Sequence, residues 1–71
     1  MIIEKKVFQV NGESYFTLTT ISLVEVIHYF NYDFSLLIIE YNKSICNKKN
    51  WNEIRIQTND KIEILTIVGG G

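Results

Sequence analysis

The residue types that could do chemistry in this 71-residue sequence are concentrated at one end. A β-branched run, Lys61 to Val68, leads straight into Gly69-Gly70-Gly71 and a terminal carboxylate. Glycine has no Cβ and nothing to pack, so three in a row cannot usefully prolong a strand. The expected result is a strand anchored in a core that gives way to a thin, mobile arm. A frayed terminus would produce the same pattern, since glycine is common in loose chain ends. A carboxylate is a poor electrophile, but condensing it with ATP to an acyl-adenylate supplies a good leaving group. A sulfur nucleophile can then turn the acyl group into a thiocarboxylate. An enzyme that does this must admit the chain end to a narrow site. Glycines suit such a channel because no side chain projects from them, and three extended residues reach about 10 Å.

No other constellation competes with the glycine end. His28 falls on the polar side of its helix and reads as a solvated side chain. Cys46 is the only cysteine. It can form no internal disulfide and belongs to no two-cysteine redox or zinc motif, so an edge or buried thiol is expected. The carboxylates show no paired spacing for general acid–base work. The glycines are not followed by the Lys-Ser/Thr and helix of a phosphate loop. Lys43, Lys48 and Lys49 form a small basic cluster, read as a solvated rim that could meet an acidic partner. The sequence thus offers no catalytic residue, no metal ligands and no bound cofactor.

The composition sets the frame. With 7 basic and 8 acidic residues and a net charge of -1, the chain lacks the basic excess a nucleic-acid groove requires. With 46% hydrophobic residues it can build one small core and is not a disordered chain. No apolar run approaches the ~18 residues of a membrane span. The first six residues show no signal-peptide pattern. A soluble cytoplasmic protein is expected, or one in an organelle stroma if its gene is organellar. The seven asparagines are read as a trace of codon supply more than of chemistry.

The elements that must carry the glycine end follow from periodicity. Lys6 to Val10 alternates as a strand with Phe8 and Val10 on one face, and residues 1–5 could lengthen it. Asn11-Gly12 is a strong hairpin signal because both positions accept positive φ. Glu13 to Leu18 returns. Ser22 stands three residues before Glu25 in capping-box spacing. Leu23, Val26, Ile27 and Phe30 then form one apolar stripe of a helix of about nine residues. Such a helix is too short to stand alone and must dock on a sheet. Leu36 to Tyr41 is apolar enough for a central strand. Ser44 to Asn47 reads as a short edge strand, and Trp51 and Ile54 pin an irregular segment. Lys61 to Val68 is the last strand.

One helix crossing between hairpin and central strand predicts an α+β fold of β-grasp type: a mixed sheet of four to five strands with the helix on one face. Residues 1–68 would form one domain and 69–71 the tail. If Ile62 and Ile64 face the helix, parity turns Leu65 and Ile67 outward. The same argument turns Leu36 and Ile38 outward if Leu37 and Ile39 face the core. Those four residues would form an exposed apolar patch beside the arm, the kind of surface that marks a protein contact.

Several segments, in order and spacing, resemble the thiamin-biosynthesis sulfur carrier family, the ThiS family of ubiquitin-like β-grasp proteins. They are Val10-Asn11-Gly12-Glu13, Ser22-Leu23-Val24-Glu25-Val26-Ile27 with Phe30, Ile38-Ile39-Glu40-Tyr41-Asn42-Lys43, Trp51, Asn59-Asp60-Lys61-Ile62-Glu63-Ile64 and Val68-Gly69-Gly70-Gly71. Asn59 and Lys43 stand where the family usually has glycine. The resemblance implies a carrier that is not itself an enzyme. An E1-like adenylating enzyme of ThiF type would activate Gly71 at the expense of ATP. Sulfur derived from cysteine would be installed as a thiocarboxylate, and thiazole synthase (ThiG type) would receive it to build the thiazole of thiamin. Gly69 and Gly70 would thread the partner's active site, with Leu65, Ile67, Leu36 and Ile38 at the interface. No nucleic-acid or membrane partner is implied. Two other readings stay open: a related carrier such as the small subunit of molybdopterin synthase, and a β-grasp binding module with an inert tail.

Overall fold

A computed structural model of the chain describes residues 4–67. The elements in order are β1 (Lys6–Val10), β2 (Glu13–Thr17), α1 (Leu23–Tyr29), a 3-10 turn (Phe34–Leu36), β3 (Leu37–Tyr41), β4 (Ser44–Cys46), a second 3-10 turn (Lys48–Asn50) and β5 (Lys61–Thr66). The five strands form one mixed sheet in the order β2-β1-β5-β3-β4. β5 lies in the middle, parallel to β1 and antiparallel to β3. The expected β-grasp architecture is therefore present.

Local chemistry explains each end. Ser22 caps α1: its hydroxyl accepts from the Glu25 amide at 3.1 Å, and the Glu25 carboxylate reaches back to it at 3.5 Å. The helix is seven residues long, shorter than the nine expected, because Asn31 turns into the left-handed region at φ 60°. The Asn31 amide then donates to the His28 carbonyl and the Tyr32 amide to the Ile27 carbonyl. This is a Schellman ending, which satisfies carbonyls the helix would leave bare. Leu23, Val26 and Ile27 are buried, and with Phe8, Val10, Leu37, Ile39, Trp51, Ile56, Ile62 and Ile64 they make the core. Fully burying one such side chain contributes about 1.5–3 kcal/mol.

The structure corrects four boundaries. β1 begins at Lys6, and residues 4 and 5 do not extend it. β2 stops at Thr17 and does not reach Leu18. There the Thr17 hydroxyl accepts from the Thr19 amide at 3.2 Å and bends the chain. Leu36 belongs to a 3-10 turn capped by Asp33, whose carboxylate accepts from the Ser35 amide at 3.0 Å. β5 ends at Thr66, short of the expected Val68, which lies outside the described residues.

The asparagines have structural work, against the codon-supply reading. Asn11, Asn31, Asn42 and Asn59 all sit at positive φ, a region that asparagine tolerates better than most residues. Asn47 caps the second 3-10 turn, accepting from the Lys49 amide at 3.2 Å.

Candidate functional site

The last strand is the element that would carry the glycine end, and its two halves are held differently. At its start, Asp60 is 5% exposed. Its carboxylate accepts from the Tyr41 hydroxyl, from Asn42 Nδ2 at 3.1 Å and from the Gln57 amide at 2.7 Å. Burial, the hydrogen bond to Asp60 and the charge of Asp60 push the Tyr41 hydroxyl well above its ordinary range. Asn42 Oδ1 also accepts from the Lys61 amide at 2.8 Å, while the Asn42 amide donates to the Lys61 carbonyl at 2.8 Å.

On the other flank, Gln9 donates its amide to the Asp60 carbonyl and Asn11 to the Ile62 carbonyl, both at 2.9 Å. The Asn11 side chain then continues the ladder where β1 has already turned away. Its Oδ1 accepts from the Ile64 amide at 2.7 Å and its Nδ2 donates to the Ile64 carbonyl at 3.4 Å. Each hairpin thus presents an asparagine amide, Asn11 and Asn42, to the backbone of β5.

Beyond Ile64 the β1 flank is gone and only β3 accompanies the strand. Ile38 stands opposite Leu65, and Leu37 opposite Thr66. The Ile67 amide donates to the Leu36 carbonyl at 2.6 Å, so the pairing runs one step past the strand proper. Parity holds throughout. Ile62 and Ile64 are 0% and 5% exposed, whereas Leu65 and Ile67 are 50% and 46% exposed; Leu36 and Ile38, at 42% and 38%, share their face. The four side chains expected to form the patch are therefore brought together by register, at the end of the strand where the chain runs on toward Val68. Gly69, Gly70 and Gly71, the residues expected to be charged and threaded, lie outside the described residues.

The remaining sequence candidates are dispersed. His28 is exposed and stands edge-on to the Phe34 ring, with centroids 5.5 Å apart. Cys46 is half-buried on edge strand β4, and burial pushes its thiol pKa up, away from the thiolate. Lys48 lies over the Trp51 ring at 5.9 Å, and Lys43 occupies the β3–β4 turn. Among the described residues no group of three or more His, Cys, Asp or Glu could hold a metal ion. No helix there is long and apolar enough to cross a membrane. A groove of about 610 Å³ opens between α1 and β2, lined by Tyr15, Phe16, Ile21, Val26, Tyr29 and Phe30 among others. Sequence reasoning missed this groove, because it needs the α1–β2 packing distance and no local pattern encodes it. It missed the Asp60 cluster as well, whose partners stand up to 19 residues away.

A central last strand between two hairpins, one helix gripped by the sheet and an apolar face at the strand's exit define a ubiquitin-like β-grasp protein. More narrowly, the ThiS family model matches residues 5–71, and the chain belongs to that family. It is 58% identical over 66 residues to the protein ycf40 of Trieres chinensis, covering 93% of this chain and 90% of the relative. It is 33% identical over 63 residues to ycf40 of Porphyra purpurea, covering 89% of each. Among solved structures, the crystal structure of the thiamine biosynthesis protein ThiS from Geobacter metallireducens superposes with a TM-score of 0.75 at 19% identity, covering 92% of this chain and 99% of that one. The solution structure of a thiamine biosynthesis protein from the same organism gives 0.74. At that identity the likeness is one of fold.

Proposed function

We propose that this chain is a sulfur carrier of thiamin biosynthesis, a co-substrate and not itself an enzyme. One observation carries the reading: the apolar pair Ile38–Leu65 on β3 and β5, continued by Leu36 and Ile67 just beyond the two strands, is left open and flanks the point where the chain runs on toward Gly69-Gly70-Gly71. Membership of the ThiS family supports it.

In this proposal a ThiF-type adenylating enzyme seats the patch and receives the chain end. A carboxylate oxygen of Gly71 attacks the α-phosphorus of ATP, a C–O–P linkage forms and pyrophosphate leaves. Hydrosulfide derived from cysteine then attacks the acyl carbon, the acyl C–O bond breaks and AMP departs, leaving a thiocarboxylate in which sulfur replaces one carboxylate oxygen. Gly69 and Gly70 line the enzyme's channel with backbone alone. A ThiG-type thiazole synthase accepts the sulfur, in the cytoplasm or an organelle stroma. ATP is consumed by the partner, and the carrier binds no cofactor of its own.

The test is intact mass. Incubation with the ThiF-type enzyme, ATP and a cysteine-derived sulfur source should leave the chain about 16 Da heavier. The gain should vanish when Gly71 is deleted. An unchanged mass with an enzyme that is active on another carrier would leave the inert-tail binding module as the better reading.

A further inference from the structure

The outer ladder of β3 and β5 does not end with its apolar pairs. The next step back from the tail sets Glu40 directly opposite Glu63. Both belong to the face of Ile38 and Leu65, two residues along each strand. Side chains so paired have Cβ atoms about 4.5–5.5 Å apart, and like charges there destabilise a sheet. The register offers no counter-charge across the ladder: Glu40's other neighbour is Ile45 on β4, and Glu63 faces the Asn11 turn on its other flank. Lys61, two residues before Glu63 on the same face, is one cation beside two carboxylates. The fold therefore tolerates an unfavourable pair at the edge of its apolar patch.

That pair decides what the face can receive. A second copy laid against it would set the carboxylates either against the other copy's carboxylates or against its apolar rows, and an unpaired charge in a poorly hydrated contact is unfavourable either way. A surface with an apolar seat and a cation set against the pair gains both contacts. It also gains direction, because the acidic end and the tail end of the ladder cannot be exchanged. We infer that Glu40 and Glu63 are the orienting end of the docking face. Its occupant is an adenylating enzyme whose apolar seat for Leu36, Ile38, Leu65 and Ile67 is bordered by arginine or lysine. This rests on the carrier reading above. Charge at the rim of an interface acts chiefly on encounter and on the choice of partner.

The experiment compares the wild-type chain with E40Q/E63Q as substrates of the ThiF-type enzyme, by ATP–pyrophosphate exchange at two ionic strengths. The double variant should raise KM for the carrier about ten-fold near 0.01 M salt, and the difference should shrink to about two-fold or less near 1 M, where screening reaches ~3 Å. A charge-reversed E63K should lose more. Folding is not the obstacle, since removing the repulsion should leave Tm equal or higher. If the wild type is charged and E40Q/E63Q matches its KM at both salts, the inference is overturned while the carrier reading stands. If E40Q/E63Q instead dimerises with an unchanged KM, the pair merely keeps copies apart and the inference is likewise overturned. If the wild type is not charged at all, the carrier reading falls and this inference falls with it.

Discussion

The two halves of β5 share a strand but not an environment. From Lys61 to Ile64 the strand is flanked on both sides, by β1 and the Asn11 amide on one and by β3 and Asn42 on the other. It buries Ile62 and Ile64 and starts from the Asp60 cluster. From Leu65 to Ile67 it has β3 alone, and its outward side chains are half exposed. Both halves have equally apolar sequences, Ile-Glu-Ile and Leu-Thr-Ile. The difference in flanking comes from where β1 stops, since its turn at Asn11 removes one neighbour beyond Ile64, while the difference in burial comes from parity, which turns Ile62 and Ile64 toward the helix and Leu65 and Ile67 to the outer face. Stability is invested upstream and accessibility downstream, in one continuous element.

The sharpest way to break this comparison is a matched pair. Ile64→Ala should cost about 3 kcal/mol in urea denaturation, and Leu65→Ala less than about 1 kcal/mol. Equal costs would mean that the halves are not different. Asp60→Ala should cost about 2 kcal/mol by the same measurement, because it strips an ionised acceptor from the Tyr41 hydroxyl, the Asn42 amide and the Gln57 backbone. Asn11→Gly keeps the positive φ and removes only the side-chain bridge. It should cost about 1 kcal/mol and speed hydrogen exchange at the Ile64 amide while leaving exchange at Ile39 governed by global unfolding.

A pH titration sharpens the upstream half further. The folded chain holds the Tyr41 hydroxyl protonated more firmly than the unfolded chain does. Its contribution is complete below the ordinary tyrosine pKa of about 10 and is lost as pH climbs above it. Wild-type stability should therefore decline above about pH 10, and Tyr41→Phe should flatten that decline. The smallest effect is expected at Lys43, which holds φ at 73° in the β3–β4 turn. Lys43→Gly relieves a left-handed β-carbon and should stabilise by about 0.5–1 kcal/mol in the same denaturation series.

Parity was what the sequence carried best. Once Ile62 and Ile64 are set facing the helix and Leu37 and Ile39 the core, alternation puts Leu65, Ile67, Leu36 and Ile38 outside, because a strand's side-chain period is two and a slip of one residue would invert every member. The Asn-Gly turn and the Ser22–Glu25 cap were equally legible, since both are satisfied by neighbours within three residues. The Asn11–Ile64 bridge spans 53 residues, and the Asn42–Lys61 bridge 19. No local pattern distinguishes an asparagine that clamps a distant strand from one that merely turns the chain. The same limit hid the Glu40–Glu63 pair, which exists only once β3 and β5 are in register. The two 3-10 turns were missed because three residues have no period to detect.

The placement of β5 also governs how the molecule comes into being. It is the middle of the sheet and the last of the described elements to be synthesised, so β1 and β3 have no common neighbour until it emerges. The amino-terminal hairpin can close by itself, through contacts a few residues apart, but the core around Ile39 and Ile62 must wait for loops of twenty to fifty residues to be drawn shut. A nascent chain stalled before Lys61 would expose Leu37, Ile39 and the inner stripe of α1 together, with two unpaired strand edges beside them. The segment from Lys61 to Thr66 must emerge before this protein can hide its own interior, and a chaperone that shelters such edges would meet it before that moment.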